Sequence, residues 1–340
     1  MRRAGVQGHA ARRGRLPQVL TGVSASAAAR RRLARLRLRP ASAVPGRGAA
    51  CRGRTVHFGR MGSLRGPCAA VLLTDYGGPA LRLARVAHSD GVSFVALEPD
   101  PAAPKEKVLA VEIDQHPFGD PTFTGRRWPM ADVRLLAPIL PSKVICVGKN
   151  YADHAREMGG EAPETPVIFM KPSTSVVGPN SPIKLPANSE RVDFEGELAA
   201  VIGQPCKDVP EARGTDVVLG YTIANDVTAR DQQKADGQWT RAKGYDTFCP
   251  LGPWIDTTVD PADLALRTEL DGEVKQDART SLLLHDVSAL VSWVSRIMTL
   301  LPGDVILTGT PAGVGPMQPG QKVSVSIDGL GTLTNPVQQG

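Results

Sequence analysis

Two glutamates and an aspartate set into apolar, strand-like sequence constrain this chain more than any other feature: Glu195 and Glu197 in VDFEGELAAVIG, and Asp226 in GYTIANDVTARDQQ. Side chains two apart on a strand point to the same face. The Glu-Gly-Glu spacing therefore aims both carboxylates at one place, and a following strand can bring Asp226 beside them. Carboxylates gathered in this way, with nothing basic in the same strands, repel one another unless a cation neutralises them. Oxygen-only ligation selects Mg2+, Mn2+ or Ca2+ over zinc, because no Cys or His lies at a spacing that completes a tetrahedral site. The competing reading leaves both glutamates on the wet face of a half-exposed strand and makes Asp226 an ordinary turn residue. Three further clusters weigh against it.

The first is VGKNYADHAREMGG, in which Asn150 can cap a short helix carrying His154 and Glu157 three residues apart on one face. A His held by a carboxylate is a competent base near neutral pH, although a solvated i,i+3 pair has the same spacing. Gly148, Gly159 and Gly160 flank the segment and let it hinge as a lid. The second cluster runs from Asp226 to Pro253 and supplies Arg230, Gln233 and Lys243, groups that suit an anionic substrate; an ordinary charged loop is the alternative. The third, LLPGDVILTGTPAGVG, is a strand entering a glycine-rich turn. It has neither the GK[ST] ending of a P-loop nor a GxGxxG fingerprint followed by a helix. It reads better as a close backbone approach to a substrate carboxylate, with the Thr310 hydroxyl and neighbouring N–H groups as donors.

Strand signals dominate from Leu81 onward. They include RLARVA, SFVALE and VLAVEID, then KVICVG, VIFMKP, SVVG, ELAAVIG, VVLGYTIAN, ALRTEL, DVILTG and KVSVSI. Between the two groups the Pro- and Gly-rich string from His116 to Lys143 reads as a linker. Helices are few: NYADHAREMG, and SALVSWVSRIMTLL, where Leu290, Trp293, Val294, Ile297, Leu300 and Leu301 follow helical spacing toward a core. The fold expected is mainly β with few helices (α+β). Its parts are an extension over 1–80, a group of short strands from Leu81 and a main domain that starts at the strand KVICVGKN.

Charge is unevenly spread along the 340 residues. Residues 1–65 hold sixteen Arg and no Lys, Asp or Glu, so the net charge of +6 belongs to that segment and the remainder carries about −10. The pI near 9.2 therefore says nothing about the body, which counts against a nucleic-acid-binding domain. The basic segment reads as translated upstream sequence, as a transit peptide in which Arg30–Pro40 forms an amphipathic helix, or as a basic arm. No apolar run approaches the roughly 18 residues needed to span a bilayer. The cysteines, Cys51, Cys68, Cys146, Cys206 and Cys249, are odd in number and contain no CxxC pair, which argues against a disulfide framework or zinc knuckle. A reducing, cytoplasmic setting is expected, or the mitochondrial matrix if residues 1–60 are a transit peptide.

Together these strings resemble the fumarylacetoacetate hydrolase (FAH) family, in particular its smaller members that include acylpyruvate hydrolases, oxaloacetate decarboxylases and 2-hydroxyhepta-2,4-diene-1,7-dioate isomerases. The resemblance runs through VGKNYADHAREMG, IFMKPSTSVVGP, DFEGELAAVIG, GYTIANDVTARDQQ, QWTRAKGYDTFCPLGPW, LLPGDVILTGTPAGVG and GLGTLTNPV, about Lys143 to Asn335. It implies a small N-terminal strand module over 81–138 and a catalytic domain over 139–338, the latter a roll of mixed β-sheets around the site, usually as a homodimer. It further implies that Glu195, Glu197 and Asp226 hold Mg2+ or Mn2+, that His154 and Glu157 activate water, that Gln233 and Lys243 surround the substrate, and that Thr310 meets its carboxylate. The substrate implied is a small 2-oxo or 2-hydroxy-2-enoic diacid, cleaved or isomerised through an enolate in aromatic-compound breakdown; decarboxylation of oxaloacetate is the alternative. Two rivals differ in class: a nucleic-acid-binding protein working through its basic arm, and a metal-binding relative recruited as an inactive partner. Membrane association is not expected.

Overall fold

The structure, a computed structural model, describes residues 81–99 and 107–340. The extension expected over 1–80, with its transit-peptide and basic-arm readings, lies outside the described residues. The backbone that follows is mainly strand arranged in mixed sheets, as the patterning predicts.

The largest sheet has a ten-strand path that runs Phe123–Pro129, Val108–Ile113, Gly91–Pro99, Arg82–His88, Cys249–Asp256, Val218–Asn225, Gly196–Ile202, Val305–Leu307, Val144–Gly148 and Val167–Lys171. The N-terminal strands therefore do not form a separate layer. Arg82 and Leu83 pair with Asp256 and Ile255, which carries one sheet across the expected 138/139 boundary. A five-stranded sheet (Glu273–Arg279, Ala265–Leu270, Lys322–Ile327, Gly331–Gln339, Ile183–Leu185) and a three-stranded one (Thr228–Ala229, Val192–Phe194, Gly315–Pro316) complete the roll.

The strand Gly196–Ile202 explains why its sequence is a continuous apolar run. Leu198, Ala200 and Ile202 enter one core, with Ile145, Ile306, Leu290 and Val325. Ala199 and Val201 enter another, with Cys146, Leu307 and Leu251. A central strand covered on both faces has no wet side on which polar residues could alternate.

The structure corrects three local expectations. The string from His116 to Lys143 is not a linker, because Phe123–Pro129 pairs with Val108–Ile113 and Arg134–Leu135 pairs with Arg82–His88. Asn150 does not cap the first helix, α1 (Ala152–Glu157), whose cap position is Tyr151. Asn150 instead spans the fold, donating through Nδ2 to the His285 and Thr308 carbonyls while its Oδ1 accepts from the His285 N–H. Finally, the long C-terminal helix covers only Val287–Ile297, capped by the Asp286 side chain at 2.8 Å from the Ala289 nitrogen. Leu300 leaves it to exchange backbone hydrogen bonds with Cys206, so Ile297 and Leu301 are exposed (53% and 42%) while Leu290, Val294 and Leu300 are buried.

Candidate active site

Glu195 sits at the break between the strands Val192–Phe194 and Gly196–Ile202. Its N–H donates to Asn225 Oδ1 at 2.9 Å and its carbonyl accepts from the Asp226 N–H at 2.8 Å, which places Asp226 beside it. The glycine between the glutamates is required by packing: a Cβ at Gly196 would lie 2.2 Å from Thr268 Oγ1 of the five-stranded sheet. Glu195, Glu197 and Asp226 are buried to 3%, 1% and 1% exposure, and one oxygen from each lies within 4.8 Å of the others. The wet-strand reading is therefore wrong.

The cations near them come from other elements, which corrects the expectation that only a metal could relieve the repulsion. Lys243, at the end of a short helix α3 (Thr240–Lys243), places Nζ 2.8 Å from Glu195 Oε2 and 2.7 Å from Asp226 Oδ2. Arg230 opens the preceding helix α2 (Arg230–Asp236). It donates from Nε to Asp193 Oδ2 at 2.9 Å and from NH1 to Gln233 Oε1 at 3.0 Å, and pairs with Glu195 through NH2. Lys171, which sequence reasoning missed, closes the strand Val167–Lys171 with its side chain fully buried. Its Nζ donates to the carbonyls of Val227, Lys243 and Phe248 at 3.0, 2.6 and 2.8 Å and lies 2.7 Å from Asp226 Oδ1. A lysine ending an apolar strand just before Pro172 was the available signal.

Burial pushes the Glu195 carboxyl upward, but Arg230 and Lys243 more than offset it and hold it well below the usual range. Glu197 is pushed the other way by burial and by the neighbouring Asp226 and Glu195. No cation among the described residues lies within 4.0 Å of Glu197, and its one hydrogen bond is from the Gly309 N–H at 2.6 Å. Burial also opposes the charge on Lys243, and Asp226 and Glu195 restore it.

These residues fit a divalent cation. The Lys171 ammonium has three protons and all three go to carbonyls, so Asp226 Oδ1 is buried with a cation nearby but no hydrogen bond. That oxygen, Glu197 and Glu195 form an all-oxygen donor set of the kind that Mg2+ or Mn2+ takes.

The trio opens into a cavity of about 680 Å³ whose lining includes all nine candidate residues. His154 Nδ1 lies 2.9 Å from Glu157 Oε2, and Glu157 Oε1 accepts from the Gly313 N–H at 3.0 Å. With Nδ1 engaged, Nε2 is the nitrogen left for the cavity. The Gln233 amide nitrogen is likewise left to donate, since its oxygen takes the Arg230 bond. Two readings narrow. Arg230 is committed to Asp193, Glu195 and Gln233, so it acts first as a support. The Thr310 hydroxyl donates to the Gly196 carbonyl at 2.9 Å and accepts from Gln276 Nε2 at 2.7 Å, so its proton is taken and a ligand carboxylate would meet backbone N–H groups of this turn. Gln276, fully buried, also donates to the Pro311 carbonyl and accepts from the Gly196 N–H. It ties the turn to the Glu-Gly-Glu segment, and nothing in its local sequence marked it.

Comparison with known proteins agrees with this architecture. The sequence profile of the Fumarylacetoacetate (FAA) hydrolase C-terminal family matches residues 143–338, and that of the Rv2993c-like, N-terminal family matches residues 81–138. Protein Rv2993c of Mycobacterium tuberculosis is 65% identical over 260 residues, 76% of this chain and 98% of the relative. The mitochondrial oxaloacetate tautomerase Fahd2a of Rattus norvegicus is 39% identical over 297 residues, 80% and 93% of the two chains. Among solved structures, 2-hydroxyhepta-2,4-diene-1,7-dioate isomerase from Mycobacterium marinum is 64% identical with a TM-score of 0.70, covering 76% of this chain and 98% of its own. The fumarylpyruvate hydrolase of Pseudomonas aeruginosa, in complex with Mn2+ and pyruvate, is 34% identical with a TM-score of 0.57, covering 61% and 92%. Sequence, fold and the carboxylate-lined cavity thus converge, and this chain is an enzyme of the fumarylacetoacetate hydrolase family.

Proposed function

We propose that this enzyme uses Mg2+ or Mn2+, held by Glu195, Glu197 and Asp226, to act on a small 2-oxo or 2-hydroxy-2-enoic diacid, by proton transfer or by hydrolysis of a carbon–carbon bond. The observation that carries the reading is the buried carboxylate trio opening into a cavity that His154 also lines. The Mn2+ and pyruvate bound by the fumarylpyruvate hydrolase, and the isomerase and tautomerase names of other relatives, support the same chemistry.

The cation, when bound, supplies a Lewis acid that draws electron density toward the 2-oxo oxygen. Lys243, an ammonium beside Glu195 and Asp226, adds positive charge next to the enolate oxygen as it develops. Backbone N–H groups of the Thr310 turn and the Gln233 amide orient the substrate. His154, its Nδ1 held by Glu157, takes a proton through Nε2. Taken from the carbon next to the 2-oxo group and returned further along the chain, that proton moves a double bond. Taken from water, it releases hydroxide onto a distal carbonyl; the bond between that carbonyl and the adjacent carbon breaks, its electron pair forms the enolate, and reprotonation gives a 2-oxo acid and a carboxylic acid.

The test is turnover of oxaloacetate, acetylpyruvate, fumarylpyruvate and 2-hydroxyhepta-2,4-diene-1,7-dioate by the full chain with Mg2+ or Mn2+, each with an EDTA control. Metal-dependent turnover of at least one is expected. Turnover that persists in EDTA would refute the metal-dependent reading, and silence on all four would refute the substrate class. We also propose a cytoplasmic homodimer with no nucleic-acid partner; sedimentation as a monomer would rule out the dimer.

A further inference from the structure

The cavity has two further cations, Lys149 and Lys234, in its lining. The carboxylates of its floor are buried, whereas Lys149 is half-buried and Lys234 exposed. Lys234 follows Arg230 by four residues and adjoins Gln233 on α2, and the i, i+3 and i+4 spacing turns all three toward the cavity. Lys149 is held in a backbone conformation uncommon outside glycine, φ 57°. On one side of it a Cβ at Gly148 would meet the Trp239 ring at 2.8 Å, and on the other Asn150 is buried and bonded to His285 and Thr308. Lys149 Nζ would lie 2.9 Å from a Cβ placed on Gly160, so the glycine leaves room for the ammonium.

Arg191 also lines the cavity, but its Nε and NH2 donate to Asp193 at 2.9 and 3.0 Å. No carboxylate among the described residues lies within 4.0 Å of the Lys149 or Lys234 ammonium. Two cations with no counter-charge among the described residues, lining the same cavity as the carboxylate trio, have their complement in a ligand that carries a second anionic group besides its 2-oxo acid.

We infer that Lys149 and Lys234 form a second anion subsite that takes the far carboxylate of a dicarboxylate substrate and so discriminates diacids from monoacids. This rests on the proposed function for the floor of the site. The test is calorimetric titration of the Mg2+-loaded full chain with 2-oxopentanedioate and 2-oxopentanoate, which differ only by a carboxylate in place of a methyl group. The wild type is expected to prefer the diacid on the order of tenfold, a preference that shrinks as salt is raised. The double variant Lys149→Gln, Lys234→Gln should bring the ratio to about one. A wild-type ratio near one, or a double variant that keeps the wild-type ratio, overturns the subsite while leaving the floor intact. Failure of both probes to bind overturns the reading of the floor and the subsite with it.

Discussion

Replacing Lys171 with Met tests whether the carboxylates depend on cations built into the fold. The substitution keeps an unbranched, apolar side chain of similar length but removes an ammonium that holds three carbonyls and lies 2.7 Å from Asp226 Oδ1. Both side chains are essentially dry, at 0% and 2% exposure. Removing one partner of a buried pair costs about 3–5 kcal/mol. Lys243 still holds Asp226 Oδ2, but Oδ1 and the three carbonyls lose their only cation, so a loss of this size is expected, a large share of the roughly 5–15 kcal/mol that stabilises a typical protein. At about 2–4 °C per kcal/mol for a body of this size, the melting temperature should fall by about 6–20 °C. The loss should be smaller in Lys171→Met, Asp226→Asn, because the carboxylate charge that Lys171 balanced is then removed with it. Added Mg2+ should raise the melting temperature of the single variant more than that of the wild type, since the cation replaces the missing charge. Thermal unfolding followed by circular dichroism, with and without Mg2+, reads all of these. A single variant melting within about 2 °C of wild type would refute the argument, because it would put the pair below about 1 kcal/mol.

Other outcomes follow from the same geometry. Glu195→Gln removes one donor of the trio and should abolish both metal binding by calorimetry and turnover; full activity in it would sink the metal site. Glu157→Gln leaves His154 without its anionic partner, so kcat should fall by about 10²-fold or more with little change in KM, and an unchanged kcat would remove His154 from the role of base. Gln276→Leu leaves the Gly196 N–H and Pro311 carbonyl without their partner, so a loss of about 1–3 kcal/mol in chemical unfolding is expected together with weaker substrate binding; wild-type values for both would show that it does not hold the turn. Burial raises the Cys249 thiol to about 12 and the Cys146 thiol well above its ordinary value. Both therefore stay protonated through pH 9 in the fold and acquire thiolate only on unfolding. Iodoacetamide at pH 8.5 followed by mass spectrometry should leave both unmodified until denaturant is added, and rapid labelling in the native protein would contradict the burial.

The distribution of apolar residues was enough to identify many of the strands, because a residue's fate in a sheet depends largely on its own polarity and that of neighbours two apart, but Cys249–Asp256, Glu273–Arg279 and Gly331–Gln339 went unmarked. The Glu-Gly-Glu spacing with a following Asp was enough to mark the trio, because no solvated strand needs three acids in so apolar a setting. Local pattern failed where partners are remote in sequence. Asn150 read as a helix cap, yet its partners His285 and Thr308 lie more than a hundred residues on. The string from His116 to Lys143 read as a linker because its prolines and glycines outweighed the strand Phe123–Pro129, which exists through its pairing with Val108–Ile113. Lys171, Arg230 and Lys243 are scattered through the sequence, and only folding puts their charges around Glu195 and Asp226. Composition and periodicity thus determined what is buried, since burial is set residue by residue by the hydrophobic effect. Which charges neutralise which, and which donors remain for a ligand, was decided by the tertiary structure, because Coulomb and hydrogen-bond energies depend on distances that the sequence does not contain.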